Sequence, residues 1–242
     1  MKPLATDHSY KNRILACLPN SELKRLAPHL VPVNLKVNDT LLEAGQNVDE
    51  AYFLEQGLCS IVVEMKNGGT VEVGLIGKEG LVGAPAVMGA EHAPNRAFIQ
   101  MAGSGFRINI KALREQGERS SELRSCLQKS MQGLLALTAQ TAACNRVHEI
   151  PERLARWLLT CHDRVESDRM EITHEFLGMM LGTGRPTVTL AAGTLHKAGL
   201  IAYSRGHVTI TDRKGLENAA CECYRTVHDE YLRLGLLDGK PA

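Results

Sequence analysis

Residues 172–211, ITHEFLGMMLGTGRPTVTLAAGTLHKAGLIAYSRGHVTIT, are the most informative stretch of this chain. Thr173 can cap a helix over 174–181, because its hydroxyl can accept a hydrogen bond from a first-turn amide. Phe176, Leu177, Met180 and Leu181 supply that helix with its apolar positions. Gly182-Thr183-Gly184 predicts a tight turn. A second helix is predicted over 185–197, with Val188, Ala191, Ala192 and Leu195 inward. Pro186 falls in its first turn, where a missing N–H costs nothing. Residues 200–203, an Arg205-Gly206 turn and residues 208–210 then predict a β-hairpin. Helix, glycine turn, helix and hairpin together outline a winged helix-turn-helix.

Charge sharpens this reading. The whole chain has 242 residues, with 28 Lys plus Arg against 27 Asp plus Glu, a net charge of +1. Between 176 and 214, however, Arg185, Lys197, Arg205, Arg213 and Lys214 face Asp212 alone, five minus one, or +4. The preceding segment, 163–175, is acidic. Any one of these cations by itself reads as solvated surface. Gathered on the second helix and the wing, they form the electrostatic footprint of a DNA-reading face.

Working outward, the segment before residue 110 follows a different rule. Short apolar runs at 31–37, 40–42, 51–54, 60–64, 71–75, 97–101 and 106–110 alternate with glycine-rich turn signals. Those signals are Gly45, Gln56-Gly57, Asn67-Gly68-Gly69 and Gly103-Ser104-Gly105, and the pattern predicts a sandwich or jelly-roll barrel. Ahead of it, 21–30 reads as a short helix with Ser21 as its N-cap. After residue 110, Leu123, Leu127, Met131, Leu134, Thr138, Thr141 and Asn145 are spaced 4, 4, 3, 4, 3 and 4. No proline interrupts 111–150, so a helix of about 25 residues or more is predicted. One reading packs this stripe along the chain's own barrel. The sharper reading makes it a dimerisation seam through Leu123, Leu127, Met131, Leu134 and Thr138. Pro151 ends this helix and another follows over 152–163. The class is therefore α+β: a β jelly-roll domain over 1–117, a long helix over 118–147 and a winged helix-turn-helix over 148–242.

Composition excludes several classes. At 44% hydrophobic and 23% charged, the chain is not disordered throughout. No stretch approaches eighteen apolar residues, so no membrane span is expected. The N-terminal segment lacks the apolar core of a secretion signal. Seven cysteines, odd in number and scattered, do not suit a disulfide framework, and a reducing cytoplasm is the expected compartment. No nucleophile-elbow, phosphate-loop or zinc-protease motif occurs. A cupin-like metal enzyme needs several histidines on facing strands, and only His92 falls within 30–110. Cys144 and His148 are four apart, but two ligands do not make a zinc site. Cys221 and Cys223, if helical, would not share a face. No metal or cofactor is therefore expected, and Cys126, on the long helix, is the thiol placed to form a cross-chain disulfide.

The whole pattern resembles the bacterial regulators typified by the cyclic-AMP receptor protein and the fumarate–nitrate reduction regulator. The likeness rests on Leu42-Glu-Ala-Gly45, Ala51-Tyr-Phe-Leu-Glu-Gln-Gly57, Gly80-Leu-Val-Gly83, and the run from Ile172 to Ile201. The resemblance implies a homodimeric, cytoplasmic transcription regulator that binds double-stranded DNA at a near-palindromic operator and meets RNA polymerase. It implies base reading by Arg185, with Thr189 one turn further along. Phosphate contacts would come from Thr183, the Gly184 N–H, Thr187 and His174; Arg205, at the turn of the basic wing, is expected to anchor phosphate as well. Pro186 and Leu190 stand where other members place a Glu and an Arg.

The effector pocket of that family would involve Gly83, Arg96 and Thr138, but the cassette departs from the pattern. Ala84 stands where cyclic-nucleotide binders carry the Glu that takes the ribose hydroxyl. Their Arg-Ser/Thr pair reads Asn95-Arg96 or Arg96-Ala97, and a one-residue slip in a strand reverses a side chain's face. Cyclic-AMP binding is therefore not expected, the alternative being a cyclic-nucleotide or other small-molecule receptor of the same fold. Nor does Cys17 alone match the N-terminal cysteine cluster of iron–sulfur members.

Overall fold

A computed structural model of the chain describes residues 10–66, 68–165, 167–204 and 206–238. Two short helices, α1 (Arg13–Ala16) and α2 (Asn20–Leu26), lead through a 3-10 turn (Ala27–His29) into the β domain. The second begins one residue earlier than predicted. Its N-cap is Pro19, with no side-chain cap bond, so Ser21 lies inside the helix.

The β domain contains β1 (Val31–Leu35), β2 (Thr40–Leu42), β3 (Glu50–Glu64), β4 (Thr70–Ile76), β5 (Leu81–Val82), the short helix α3 (Ala84–Val87) and β6 (Arg96–Asn109). All pairings are antiparallel, in the order β1-β6-β3-β4, with β2 on β6 and β5 on β3. Four of the predicted short strands merge into two long ones, β3 and β6. The glycines at 57, 103 and 105, expected in turns, instead lie where the β3–β6 register shifts, between Leu54 and Cys59. A Cβ on Gly103 would sit 2.0 Å from the Gln56 carbonyl oxygen, and one on Gly57 would sit 2.6 Å from that of Met101. Glycine here permits bulges and close backbone approach within paired strands, not chain reversal. The sheet wraps around Leu35, Leu54, Cys59, Ile76, Val82, Ala97 and Ile99.

Helix α4 (Ile110–Arg119) stops at Ser120, whose hydroxyl accepts from the Leu123 amide and starts α5 (Ser121–Val147). The stripe expected as a dimer seam is the inward face of α5. Leu123 and Leu127 are buried in one core with Ile14, Phe53, Leu81 and Leu113, and Met131 packs against it. A Cβ on Gly74 of β4 would lie 2.9 Å from Leu134 Cδ1, so these surfaces are in close contact. Thr138 Oγ1 donates to the Val73 carbonyl at 2.9 Å. The protomer's own barrel covers the apolar stripe because it offers the nearest apolar surface. The opposite face, Gln128, Gln132, Leu135, Ala139, Ala142 and Arg146, is exposed. Cys126 is bonded to Cys17 of the same chain, which corrects the expectation of a cross-chain bond.

The C-terminal part comprises α6 (Ile150–His162), β7 (Arg169–Glu171), α7 (His174–Leu181), α8 (Arg185–Lys197), β8 (Ile201–Ser204), β9 (His207–Ile210), α9 (Arg213–Ala219) and α10 (Cys223–Leu234). Its core is continuous with one side of the barrel: Leu58, Val62, Leu75 and Phe98 join Trp157, Leu158, Leu177, Met180 and Leu195 in a single cluster. Two polar ties cross the same boundary. Trp157 Nε1 donates to Glu72 at 2.7 Å, and Arg164 pairs with Glu79 at 2.7 Å, both groups almost fully buried.

Candidate nucleic-acid interface

The helix-turn-helix forms where the local signals put it. Thr173 Oγ1 accepts from the Phe176 amide at 3.1 Å and caps α7. Gly182 ends α7 in the left-handed conformation (φ 61°), which a side chain would resist. The Thr183 amide donates to the Gly178 carbonyl at 2.9 Å and folds the turn back. Gly184 is the N-cap of α8 and provides no side-chain cap, so first-turn amides of α8 are left for an outside acceptor. Val188, Ala191, Ala192 and Leu195 are buried, which fixes the opposite face of α8 outward.

That outward face carries Arg185, Pro186, Thr187, Thr189, Leu190 and Thr194, all exposed. Arg185 has no side-chain hydrogen bond or ion pair among the described residues, so its guanidinium fork is available. Thr187 is likewise exposed near the helix N-terminus. Thr189 differs: its hydroxyl donates to the Arg185 carbonyl at 3.0 Å and lies 3.0 Å from His174 Nδ1. With that hydroxyl donating to the carbonyl, His174 supplies the hydrogen at Nδ1, a tautomer set by the bonding network. The His174 ring also stacks on Tyr203 of β8, centroids 4.0 Å apart. Burial, and then the nearby Arg185, push its pKa below the ordinary value, which keeps it neutral at pH 7. His174 thus braces α7, α8 and the wing against one another. Leu190, 75% exposed, is a large apolar residue on the outward face whose significance sequence spacing did not reveal.

The basic patch is smaller than the sequence implied. Arg213 is bound to Asp163 at 2.6 Å, to Glu217 at 2.9 Å and to the Tyr224 hydroxyl at 2.6 Å, so it holds α9 to α6 and does not face outward as a free cation. Arg205 lies outside the described residues, as does Asn67 of the expected β3–β4 turn.

The residues expected to form an effector pocket do not converge. Arg96 shares the outer face of β6 with Phe98, while Ala97 and Ile99 point into the barrel core. Its guanidinium is held by Glu64 at 2.9 Å, Glu43 at 3.7 Å and Thr40 at 3.3 Å. Gly83 precedes α3, and Thr138 spends its hydroxyl on β4. Beside Ala84, Leu134 and Tyr231 the cavity between α5 and the barrel is about 10 Å³, while a cleft of about 510 Å³ opens further along α5, beside Met88, Arg114 and Leu127. A roomier cleft of about 550 Å³ opens elsewhere, between the barrel and the segment 164–171.

Comparison with known proteins agrees with both halves of the chain. Residues 32–120 match the model of the cyclic nucleotide-binding domain, and residues 152–219 match that of the Crp-like helix-turn-helix domain. The chain is 25% identical to the transcriptional regulator SdrP of Thermus thermophilus over 196 residues, 78% of this chain and 93% of that one. Among solved structures it resembles FixK2 of Bradyrhizobium japonicum (TM-score 0.69, 15% identity, 79% of this chain and 98% of that one). It also resembles CLP of Xanthomonas campestris, described as a c-di-GMP responsive global regulator (TM-score 0.67, 14% identity, 79% and 99%). Among the described residues, no helix is long and apolar enough to cross a membrane.

Proposed function

The chain belongs to the Crp/Fnr family of transcription regulators with a DNA-binding helix-turn-helix, and from that premise we propose that it acts as a homodimer on a near-palindromic operator. The observation that carries this reading is the outward face of α8, where Arg185, without a partner among the described residues, stands at a helix N-terminus whose amides have no side-chain cap. Arg185 reads guanine O6 and N7 in the major groove through its bidentate fork. Thr187 and the first-turn amides hold phosphates, and Leu190 lies against a thymine methyl. Thr189, its hydroxyl engaged with His174, orients the face without reading a base.

The second copy docks along α5. Gln128, Gln132, Leu135, Ala139, Ala142 and Arg146 recur at alternating intervals of four and three, the spacing of a coiled-coil seam, and all are exposed in the single chain. The small residues Ala139 and Ala142 allow close approach, and the two-fold axis sets half-sites about 34 Å apart. The barrel does not take cyclic AMP, since Arg96 faces outward and the ribose-accepting carboxylate is replaced by Ala84.

Selection of bound duplexes from random DNA, combined with sedimentation of the complex, tests this function. Two inverted half-sites bound by two chains are expected. A monomer bound to an asymmetric site would overturn the dimer reading, and no enrichment of any sequence would overturn the DNA-binding one.

A further inference from the structure

Four potential ligands meet at the hinge between α5 and α6. They are Cys144 on the last turns of α5, His148 at its C-cap, and Cys221 and Cys223 at the start of α10. Their ligand atoms all lie within 4.8 Å of one another. Cys144 Sγ is 3.5 Å from Cys221 Sγ, and Cys223 Sγ is 3.6 Å from His148 Nδ1. Four ligands placed tetrahedrally around zinc, at about 2.3 Å for sulfur and about 2.0–2.1 Å for nitrogen, lie about 3.5–3.8 Å apart. The set is therefore compact enough to enclose one ion, while an iron–sulfur cluster would spread its thiolates over several irons. The i, i+2 spacing does not put Cys221 and Cys223 on different helix faces, because Cys221 precedes α10 and only Cys223 is helical.

We propose that Cys144, His148, Cys221 and Cys223 form a structural zinc site that fastens the end of α5 to the C-terminal helix. Three sulfurs and one imidazole with no position left for water are the donor set of a closed structural site. The surroundings support it. His148 presents Nδ1 to the cluster while its Nε2 meets Glu222 Oε2 at 3.0 Å, the carboxylate–histidine arrangement that orients a metal-bound imidazole. Gln140 Nε2 donates to Cys223 Sγ at 3.1 Å, a bond that favours thiolate. Zinc with three thiolates and a neutral imidazole carries one net negative charge. Arg153 and Arg156 at the start of α6 are buried, within electrostatic range of Cys144, and have no carboxylate within ion-pair distance among the described residues. The three cysteines are buried and clustered apart from the main cores. The site adds to the contacts by which α10 already lies on α5, where Gln132 meets Glu230 and Gly133 faces Tyr231 and Leu236.

The test uses the full chain, kept reduced by a phosphine, stripped with a chelator and titrated anaerobically with Co2+ and then Zn2+. One equivalent of Co2+ per chain is expected, with the visible bands of tetrahedral cobalt and near-ultraviolet thiolate charge transfer, both abolished by one equivalent of Zn2+. Zinc should raise Tm by more than about 5 °C at saturation. Cys223→Ser and His148→Gln should each weaken metal binding by at least about 100-fold, and Cys59→Ser, in the barrel core, should leave it unchanged. Glu222→Gln alters an exposed side chain, so it cannot fail for want of folding, and should weaken binding by about 10- to 100-fold. Reduced protein that takes up no cobalt, or uptake undiminished in Cys144→Ser and Cys223→Ser, overturns the site. Uptake is read without DNA, so failure of the regulator reading would leave this result standing.

Discussion

Leu134 and Leu135 are neighbours on α5, yet they face different surfaces, and replacing each by alanine separates the two faces of that helix. Leu135 is 70% exposed in the single chain and lies on the proposed seam. Fully burying a leucine is worth about 1.5–3 kcal/mol, so covering the exposed 70% of Leu135 is worth about 1–2 kcal/mol. Two-fold symmetry doubles this to about 2–4 kcal/mol per dimer, or about 30- to 1000-fold in the dimer Kd; this is an upper figure, because alanine keeps Cβ. Leu135→Ala should therefore shift sedimentation equilibrium toward monomer while leaving the chemical-denaturation midpoint of the monomer nearly unchanged. Leu134 is packed over Gly74 and Ile61 of its own barrel. Leu134→Ala should cost about 2 kcal/mol of protomer stability, the low end for leucine truncation because the site is only half-buried. Its effect on the monomer–dimer equilibrium should be small. The reverse outcome, dissociation by Leu134→Ala and indifference to Leu135→Ala, would refute the assignment of the seam.

Four other substitutions or additions probe the remaining parts. Arg185→Ala should cost about 1–3 kcal/mol per half-site and relax preference at one base pair in each half, whereas Thr187→Ala should weaken all sequences about equally; unchanged base preference in Arg185→Ala would make that arginine a phosphate clamp. Cyclic AMP at millimolar concentration should give no calorimetric heat, and saturable micromolar binding would show that the barrel interior opens. Glu72 sits among Trp157, Ser60, Cys59, Cys161, Arg156 and Arg164, and burial raises its pKa to about 7. Because that exceeds the unfolded value of 4.5, the folded state holds the extra proton, and this contribution is full below pH 4.5 and lost as pH rises to about 7. The loss is on the order of 3 kcal/mol, so Glu72→Gln should flatten the fall of urea-unfolding stability across that window, and an identical slope in the variant would refute it.

The helix-turn-helix was legible because its instructions are local. Thr173 caps, Gly182 terminates and Pro186 opens, each acting within one helical turn of its own position. The barrel strands were less legible because a glycine at a bulge and a glycine in a turn look alike in sequence, and only the partner strand distinguishes them. The faces of α5 misled for a different reason. Leu123 and Leu127 form the more apolar stripe, and apolar spacing says that a face is covered without saying by which chain. The free face is made of glutamine and alanine, which hydrophobic periodicity scarcely registers. Arg96 turned outward because strand alternation leaves no intermediate choice. The cysteine–histidine cluster stayed hidden because Cys144 and Cys221 are 77 residues apart, and sequence spacing describes ligand sets only when one turn or hairpin holds them.

The boundary between barrel and helix-turn-helix limits how this protein can transmit a change. Phe98 of β6 meets Phe176 of α7 edge-on at 6.3 Å, and Phe176 in turn meets Trp157 at 6.4 Å. The same boundary holds the Trp157–Glu72 bond and the buried Arg164–Glu79 pair. Breaking a buried ion pair by removing one partner costs about 3–5 kcal/mol, and sliding α7 across β4 would also uncover the aromatic contacts. A movement of the recognition helix relative to its own barrel must therefore give up all of these together. A movement of α5 against the partner copy proposed above would give up none of them, since the proposed seam residues lie on the opposite face. In the proposed dimer, the lower-cost route for repositioning two α8 helices on DNA is thus a change at the α5 seam, with each barrel and its helix-turn-helix carried along as one body.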